Sequence, residues 1–111
     1  MVRIEYSPIA ILDIEQIGDY IEQEYTNPKA ALDTVNKIQD KIDNLSDFPL
    51  IGATLSSIAD IETDYRFLVC GNYLIFYRVE EKVYIDRVLH GKRDYLAILF
   101  PDVQQDTNHI T

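Results

Sequence analysis

Residues 65–95, YRFLVCGNYLIFYRVEEKVYIDRVLHGKRDY, limit the folds open to this chain more than any other stretch. Tyr65, Phe67 and Val69 alternate with Arg66, Leu68 and Cys70, the period of two that sends successive side chains to opposite faces of a strand. Gly71-Asn72 follows, a two-residue connection of the kind that tolerates the positive φ of tight hairpins. Residues 73–79 and, beyond Glu80-Glu81-Lys82, residues 83–90 are rich in β-branched and aromatic side chains. The segment reads as an antiparallel meander of three strands, and the rest of the chain must supply the layer that buries one of its faces.

That layer is legible upstream. Val2, Ile4 and Tyr6 alternate with Arg3 and Glu5 as in a half-buried strand, which Ser7-Pro8 stops. Serine before a helix accepts an otherwise orphaned N–H, and proline in the first turn has no N–H to lose. Ala10, Ile14, Ile17 and Ile21 then recur at helical spacing, so a helix is expected over residues 8–25, with Asp13, Glu15, Asp19, Glu22 and Glu24 forming its solvated face. Asn27-Pro28 repeats the start signal, and Ala31, Val35, Ile38, Ile42 and Leu45 predict a second helix over residues 28–46, antiparallel to the first. Residues 50–64 have no clear period and read as a partly ordered connection. After Tyr95, LAILF can be a last short strand or a helical turn, and Pro101 stops it.

The expected fold is therefore α+β: an N-terminal strand, a two-helix hairpin, then a three-stranded antiparallel meander. The strand order leaves open whether the first strand takes an edge or a central slot. With both helices on one sheet face, the other face is expected to be uncovered and available to a partner. Residues 1–100 form one domain in this reading, and residues 101–111 a flexible polar tail.

The chain carries 19 acidic and 10 basic side chains, a net charge of −9. Residues 1–64 hold 13 acidic and 4 basic groups, while residues 65–95 hold 4 acidic and 6 basic ones, so the net balance turns positive only in residues 65–95. Such a chain is not expected to bind DNA sequence-specifically by itself or nucleic-acid backbone in general, because that requires clustered cations. One cysteine, Cys70, allows no internal disulfide, and no metal site or cofactor motif stands out. No apolar run approaches the length of a signal peptide's core or a membrane span, so the protein is expected to be cytoplasmic, with no membrane partner.

The candidate site residues lie in and just beyond the meander. His90 can exchange a proton near neutral pH, and HGKRDY projects from a strand end, where a rigid scaffold presents functional groups. Arg66, Arg78, Arg87, Lys92 and Arg93 offer cations for a phosphate or for carboxylates of a partner. The alternative for each arginine is pairing with Glu80, Glu81, Asp86 or Asp94.

YSPIA, NPKAA, LSDFPLIG, YRFLVCGNYLIFYRV and VLHGKRDYLAILF, in this order and spacing, resemble the RelE/ParE superfamily of toxins from type II toxin-antitoxin pairs. The resemblance covers nearly the whole chain and implies a growth-inhibiting protein wrapped by a cognate antitoxin. RelE-like members cut messenger RNA on the ribosome, and the equivalents here would be catalytic His90, Arg66, Arg93 and Tyr95. Two departures weigh against that activity. Leu74 stands where RelE-like nucleases place an arginine, and Asp60, Glu62 and Asp64 replace the basic residues before their sheet. NYLIFYRV and VLHGKRDY are closer to the ParE branch, some of whose members poison DNA gyrase. The favoured reading is thus a ParE-like toxin acting on a protein target such as gyrase. The alternatives are a ribosome-dependent endoribonuclease and an inactive remnant that only binds its antitoxin. An apolar antitoxin segment is expected to cover the open sheet face near Leu74 and Phe76, with acidic residues meeting Arg66, Arg78 or Arg93.

Overall fold

The computed structural model describes residues 1–102. Its first strand, β1 (Ile4–Tyr6), gives way to α1 (Pro8–Tyr25), where Ser7 Oγ accepts the Ala10 N–H at 3.0 Å. α2 (Pro28–Asp43) starts by the same device, with Asn27 Oδ1 accepting from Ala30 N at 3.1 Å. The chain reverses between the helices at Thr26, whose φ of 49° lies in the left-handed region. A single 3₁₀ turn, Asn44–Ser46, extends α2 to the end that its apolar stripe predicts.

Four further strands follow: β2 (Ala53–Thr54), β3 (Arg66–Cys70), β4 (Tyr73–Val79) and β5 (Val83–His90). The five form one sheet in the order β1-β5-β4-β3-β2. β3, β4 and β5 are the expected antiparallel meander, with Cys70 opposite Tyr73 across the first turn. In that turn only Gly71 takes a positive φ, 59°, at the position where a type II′ hairpin demands glycine. β1 takes an edge, parallel to β5, with Ile4 opposite Val83 and Tyr6 opposite Ile85. Residues 50–64 contribute more than a connection: β2 is a fifth strand on the opposite edge, and Leu55–Ser57 forms a 3₁₀ turn.

The helical hairpin packs on one face of this sheet, as its stripes require. Ala10, Ile14, Ile17 and Ile21 of α1 and Ala31, Ile38 and Ile42 of α2 join Ile75, Tyr77, Val83, Ile85 and Val88 in one buried cluster. Burial of apolar surface at about 25 cal/mol per Å² is what holds the two layers together. Tyr77 brings a polar group into this core and satisfies it fully. Its hydroxyl accepts the Gly52 N–H and donates to the Pro49 carbonyl, each at 2.9 Å. A Cβ on Gly52 would lie 2.5 Å from that hydroxyl oxygen and 2.7 Å from the Phe67 carbonyl, so the close approach needs glycine.

The other face is not open, which corrects the expectation drawn from helix count alone. Leu55, Phe76 and Leu89 are buried there, with Tyr65, Phe67, Leu74, Tyr95, Leu96 and Phe100 packed against them. The cover is α3 (Tyr95–Leu99), which makes residues 96–99 helix rather than strand with Phe100 as its C-cap, together with the turn that carries Leu55. Helical spacing lets Tyr95, Leu96, Ile98 and Leu99 reach this face, so an apolar surface that would otherwise meet water is buried by the chain itself. Of the expected flexible tail, residues 103–111 lie outside the described residues.

The β4–β5 ladder contains one irregularity. Phe76 pairs with Arg87 but Tyr77 pairs with Ile85, so Asp86 is an extra residue in β5. A bulge of this kind locally re-aims side chains, and here it does so beside the charged groups.

Candidate functional site

Three of the four sheet-associated arginines are engaged within the chain. Arg66 donates through Nη1 to the carbonyls of Gly52 and Leu50, at 2.8 and 3.3 Å, and so braces the loop before β2. Arg78 pairs through Nε with the bulge residue Asp86 at 2.6 Å and through Nη1 with Glu80 at 3.2 Å, and its guanidinium carbon lies 5.3 Å from the centre of the Tyr84 ring. Arg87 reaches Asp13 on α1, with Nε–Oδ2 and Nη2–Oδ1 distances of 2.8 and 3.0 Å. The hydrogen bonds to Asp86 and Asp13 raise the pKa of Arg78 and Arg87 above the usual arginine value, against the opposing effect of burial.

Asp13 is therefore no part of the solvated face of α1. It is buried, and its Oδ2 also accepts the Val88 N–H at 2.9 Å. The reason is topological: β1 ends at Tyr6 opposite Ile85, so β5 has no strand neighbour on that side beyond this point, and a helix carboxylate serves as acceptor instead. The tyrosines nearby are affected by the same packing. Burial first, and the Asp86 charge second, raises the Tyr65 pKa above the ordinary value.

A cleft of about 670 Å³ opens between the helical hairpin and the β3–β4 turn. Tyr20 and Tyr25 of α1, Lys37 of α2, Tyr73 of β4, His90 of β5 and Arg93 beyond it all line this cleft. His90 meets Tyr73 edge-on, ring centres 5.3 Å apart and planes at 78°. Its Nδ1 accepts the Lys92 N–H at 3.1 Å, which leaves Nε2 as the protonated nitrogen of the neutral ring. Burial, with Tyr20 and Tyr25 adding smaller effects, raises the Tyr73 pKa. Asp13 also borders the cleft, but Arg87 and Val88 already occupy its carboxylate. Among the described residues, no carboxylate lies within 4.0 Å of the Lys37 or Arg93 cationic groups.

The sequence-predicted site residues are thus divided. His90 and Arg93 share the cleft, and exposed Lys92 stands beside it. Arg66 pairs opposite Tyr77, four strand positions from the rung that joins Cys70, Tyr73 and His90, or about 13 Å along the strand. Tyr95 lies on the other sheet face, its ring 5.3 Å from that of Phe76. The four groups named for RNA cleavage are therefore not brought into one constellation. Phe76 has no exposed surface to offer a partner, and Leu74 is only half-buried. Sequence reasoning missed Tyr20, Tyr25, Lys37 and Tyr73. The signal for the first two was present: large aromatics, 56% and 67% exposed, on the polar side of an amphipathic helix. Among the described residues, no cluster of His, Cys, Asp or Glu is arranged to hold a metal ion, and no helix is long and apolar enough to cross a membrane.

A strand, a helical hairpin and a meander closed by their own C-terminal turn define a small α+β domain, and solved structures share it. A chain described as the chromosomal ParDE TA system from P. aeruginosa matches with a TM-score of 0.68 and 20% identity, over 81% of this chain and 96% of that one. A likeness at that identity concerns the fold. Toxin ParE1 of Caulobacter vibrioides (strain ATCC 19089 / CIP 103742 / CB 15) is 32% identical over 87 residues, which are 78% of this chain and 86% of that relative. Residues 4–95 match the family model described as ParE toxin of the type II toxin-antitoxin system parDE. The chain belongs to the ParE toxin family of type II toxin-antitoxin systems. The match ends at Tyr95, the residue at which α3 begins.

Proposed function

We propose that this protein is a growth-inhibiting cytoplasmic toxin, neutralised by a cognate antitoxin, that acts without a cofactor by contact with a protein target, DNA gyrase. The single observation that carries the choice of a protein target is the internal engagement of Arg66, Arg78 and Arg87. An RNA-cleaving surface must hold a phosphate with cations, and those three are committed to carbonyls and carboxylates of their own chain. The net charge of −9 acts in the same direction, because it repels a polyanion but not a protein surface of mixed sign. Adding the purified chain to gyrase and relaxed plasmid tests this: loss of supercoiling is expected. An unaffected gyrase at every concentration, from a chain that still arrests growth on expression, would remove gyrase as the target.

The second reading, a ribosome-dependent endoribonuclease, is favoured by the cleft, where His90 stands with Lys37 and Arg93. Such a cleavage needs a base for the 2′-hydroxyl, an acid for the leaving 5′ oxygen and cations for the phosphate, and the cleft supplies His90 as the proton-transfer group with Lys37 and Arg93 as the cations. Primer extension on translated messages separates the two readings. Discrete cuts that vanish in His90→Ala and Arg93→Ala support the nuclease, and intact messages during growth arrest exclude it. Absence of any growth arrest, with antitoxin binding retained, would instead identify an inactive remnant.

A further inference from the structure

The strand edge that β1 leaves free runs into the cleft between the helical hairpin and the β3–β4 turn. β1 stops opposite Ile85, so β5 has no strand neighbour on that side from Asp86 onward. Gly91 donates to the Asn72 carbonyl at 2.8 Å, and bonded rungs alternate along an antiparallel ladder, so Leu89 also faces β4 while Val88 and His90 direct their backbone groups outward. Asp13 takes the Val88 N–H and the Arg93 N–H takes the His90 carbonyl. The Val88 carbonyl and the His90 N–H remain, a neighbouring acceptor and donor on the cleft wall. We infer that the cleft is a binding site for a nucleoside monophosphate, its base held against this edge among tyrosines and its phosphate at the rim that carries Lys37 and Arg93. Such a site depends on neither reading of the toxin's target.

A nucleobase matches that wall in two ways. Its pairing edge sets a hydrogen-bond acceptor beside a donor, the complement of a strand edge's N–H and C=O. Its flat faces stack on aromatic side chains, and Tyr20, Tyr25 and Tyr73 line the same cleft. Ile17 and Ile21 add apolar surface, against which a base is better placed than a free anion. The volume of about 670 Å³ lies in the range of clefts that hold one small molecule.

Charge selects a single phosphate over a polymer of them. Lys37 and Arg93 carry no ion pair among the described residues, and His90 adds the Nε2 donor of its neutral ring. The one bordering carboxylate, Asp13, is spent on Arg87 and the Val88 N–H, and no other acidic residue lines the cleft. An entering phosphate therefore meets cations without a competing charge of the protein's own. Close by on α1, Asp19 and Glu22 line a second hollow, and the chain as a whole carries −9. A polynucleotide would run its further phosphates into that field, whereas one nucleotide confines its charge to the rim.

The test titrates the ¹⁵N-labelled full chain with AMP, adenosine, inorganic phosphate and a short single-stranded RNA. AMP is expected to saturate with a Kd below about 0.3 mM and to shift amides of residues 16–25, 70–73 and 88–93. Adenosine and phosphate alone should each bind at least about tenfold more weakly, because each fills only part of the site. Lys37→Glu combined with Arg93→Glu should erase the preference for AMP over adenosine, and Tyr20→Ala should raise the Kd of AMP about tenfold. Arg3→Glu makes the chain more acidic beside the β4–β5 turn, at the opposite end of the sheet, and should leave that Kd within about twofold. Lys37 and Arg93 are exposed, so their variants are expected to fold, as circular dichroism melts will show. No saturable change up to about 10 mM AMP, or changes confined to amides outside the cleft, would overturn the site and leave the proposed function intact. Phosphate that binds as tightly as AMP would overturn it as well, leaving an adventitious ion only. RNA that binds at least about a hundredfold tighter than AMP would overturn it in favour of the endoribonuclease reading.

Discussion

On the helix side of the sheet, Ile75, Tyr77 and Ile85 are fully buried beneath helices of 18 and 16 residues; on the other side, Phe76 and Leu89 are covered by a helix of 5 residues and an irregular segment. Both faces are covered, but for different reasons. The long helices carry apolar stripes over several turns and bury them against all three meander strands. A five-residue helix is far too short to be stable alone, so α3 exists only because its side chains find Phe76, Leu89 and Leu55. The helix face is therefore expected to open only with the whole domain, and the second face by a local release of α3.

The largest effect is expected where the two faces meet, at the edge of β5. Asp13→Ala removes the partner of the Arg87 guanidinium and the acceptor of the Val88 N–H together. Breaking a buried, hydrogen-bonded pair on one side costs about 3–5 kcal/mol, and the 23% exposure of the Arg87 side chain places the loss at the lower end of that range, to be read from denaturant titration. A loss below about 1 kcal/mol would mean that the Asp13–Arg87 pair does not join the faces.

Next in size is the contrast between the faces themselves. Ile38→Ala should cost about 2–5 kcal/mol of global stability, because Ile38 is completely enclosed. Leu99→Ala, on a half-buried α3 residue, should cost about 1 kcal/mol or less of global stability while markedly accelerating hydrogen exchange in residues 95–100. Equal costs for the two would erase the distinction.

Much of the helix face was legible in the sequence. The stripes of Ala10, Ile14, Ile17 and Ile21 and of Ala31, Ile38 and Ile42 have the helical period, and the Ser7-Pro8 and Asn27-Pro28 caps mark where each helix starts. The second face was not, because five residues of LAILF are too few to distinguish helix from strand, and Leu55 reaches Phe76 from a stretch with no period. Among the charged groups, the sequence named Asp86 as one possible arginine partner, and the structure gives it to Arg78. Asp13 was hidden, since its partner Arg87 lies 74 residues away and only the end of β1 at Tyr6 creates the need for it. Lys37 and Tyr20 joined His90 only once the hairpin was docked on the sheet.

Tyr77→Phe tests the one polar anchor described within the helix-face core. Loss of the hydroxyl leaves the buried Gly52 N–H without its acceptor, a cost of about 1–3 kcal/mol. A neutral result would show that the loop before β2 relaxes to find another partner.

A smaller effect is expected from pH. Burial raises the pKa of Tyr6, Tyr73 and Tyr77 on the helix side and of Tyr65 on the other face above the ordinary 10.0. The unfolded chain then releases these protons at a lower pH than the native one, so stability is complete below 10.0 and falls as pH rises through the native values. Denaturant titrations at about pH 8 and about pH 11, with tyrosinate absorbance followed in parallel, read the slope directly. Stability unchanged or rising across that window would contradict it.

Whether this self-closed domain is a toxin kept silent by an antitoxin is read from controlled expression in a bacterial host. Growth and plasmid supercoiling are to be followed with the toxin alone and with a co-expressed cognate antitoxin. Growth arrest with loss of plasmid supercoiling is expected from the toxin alone, and recovery of both when the antitoxin is present. Undisturbed growth in cells that accumulate the folded protein without antitoxin would contradict it.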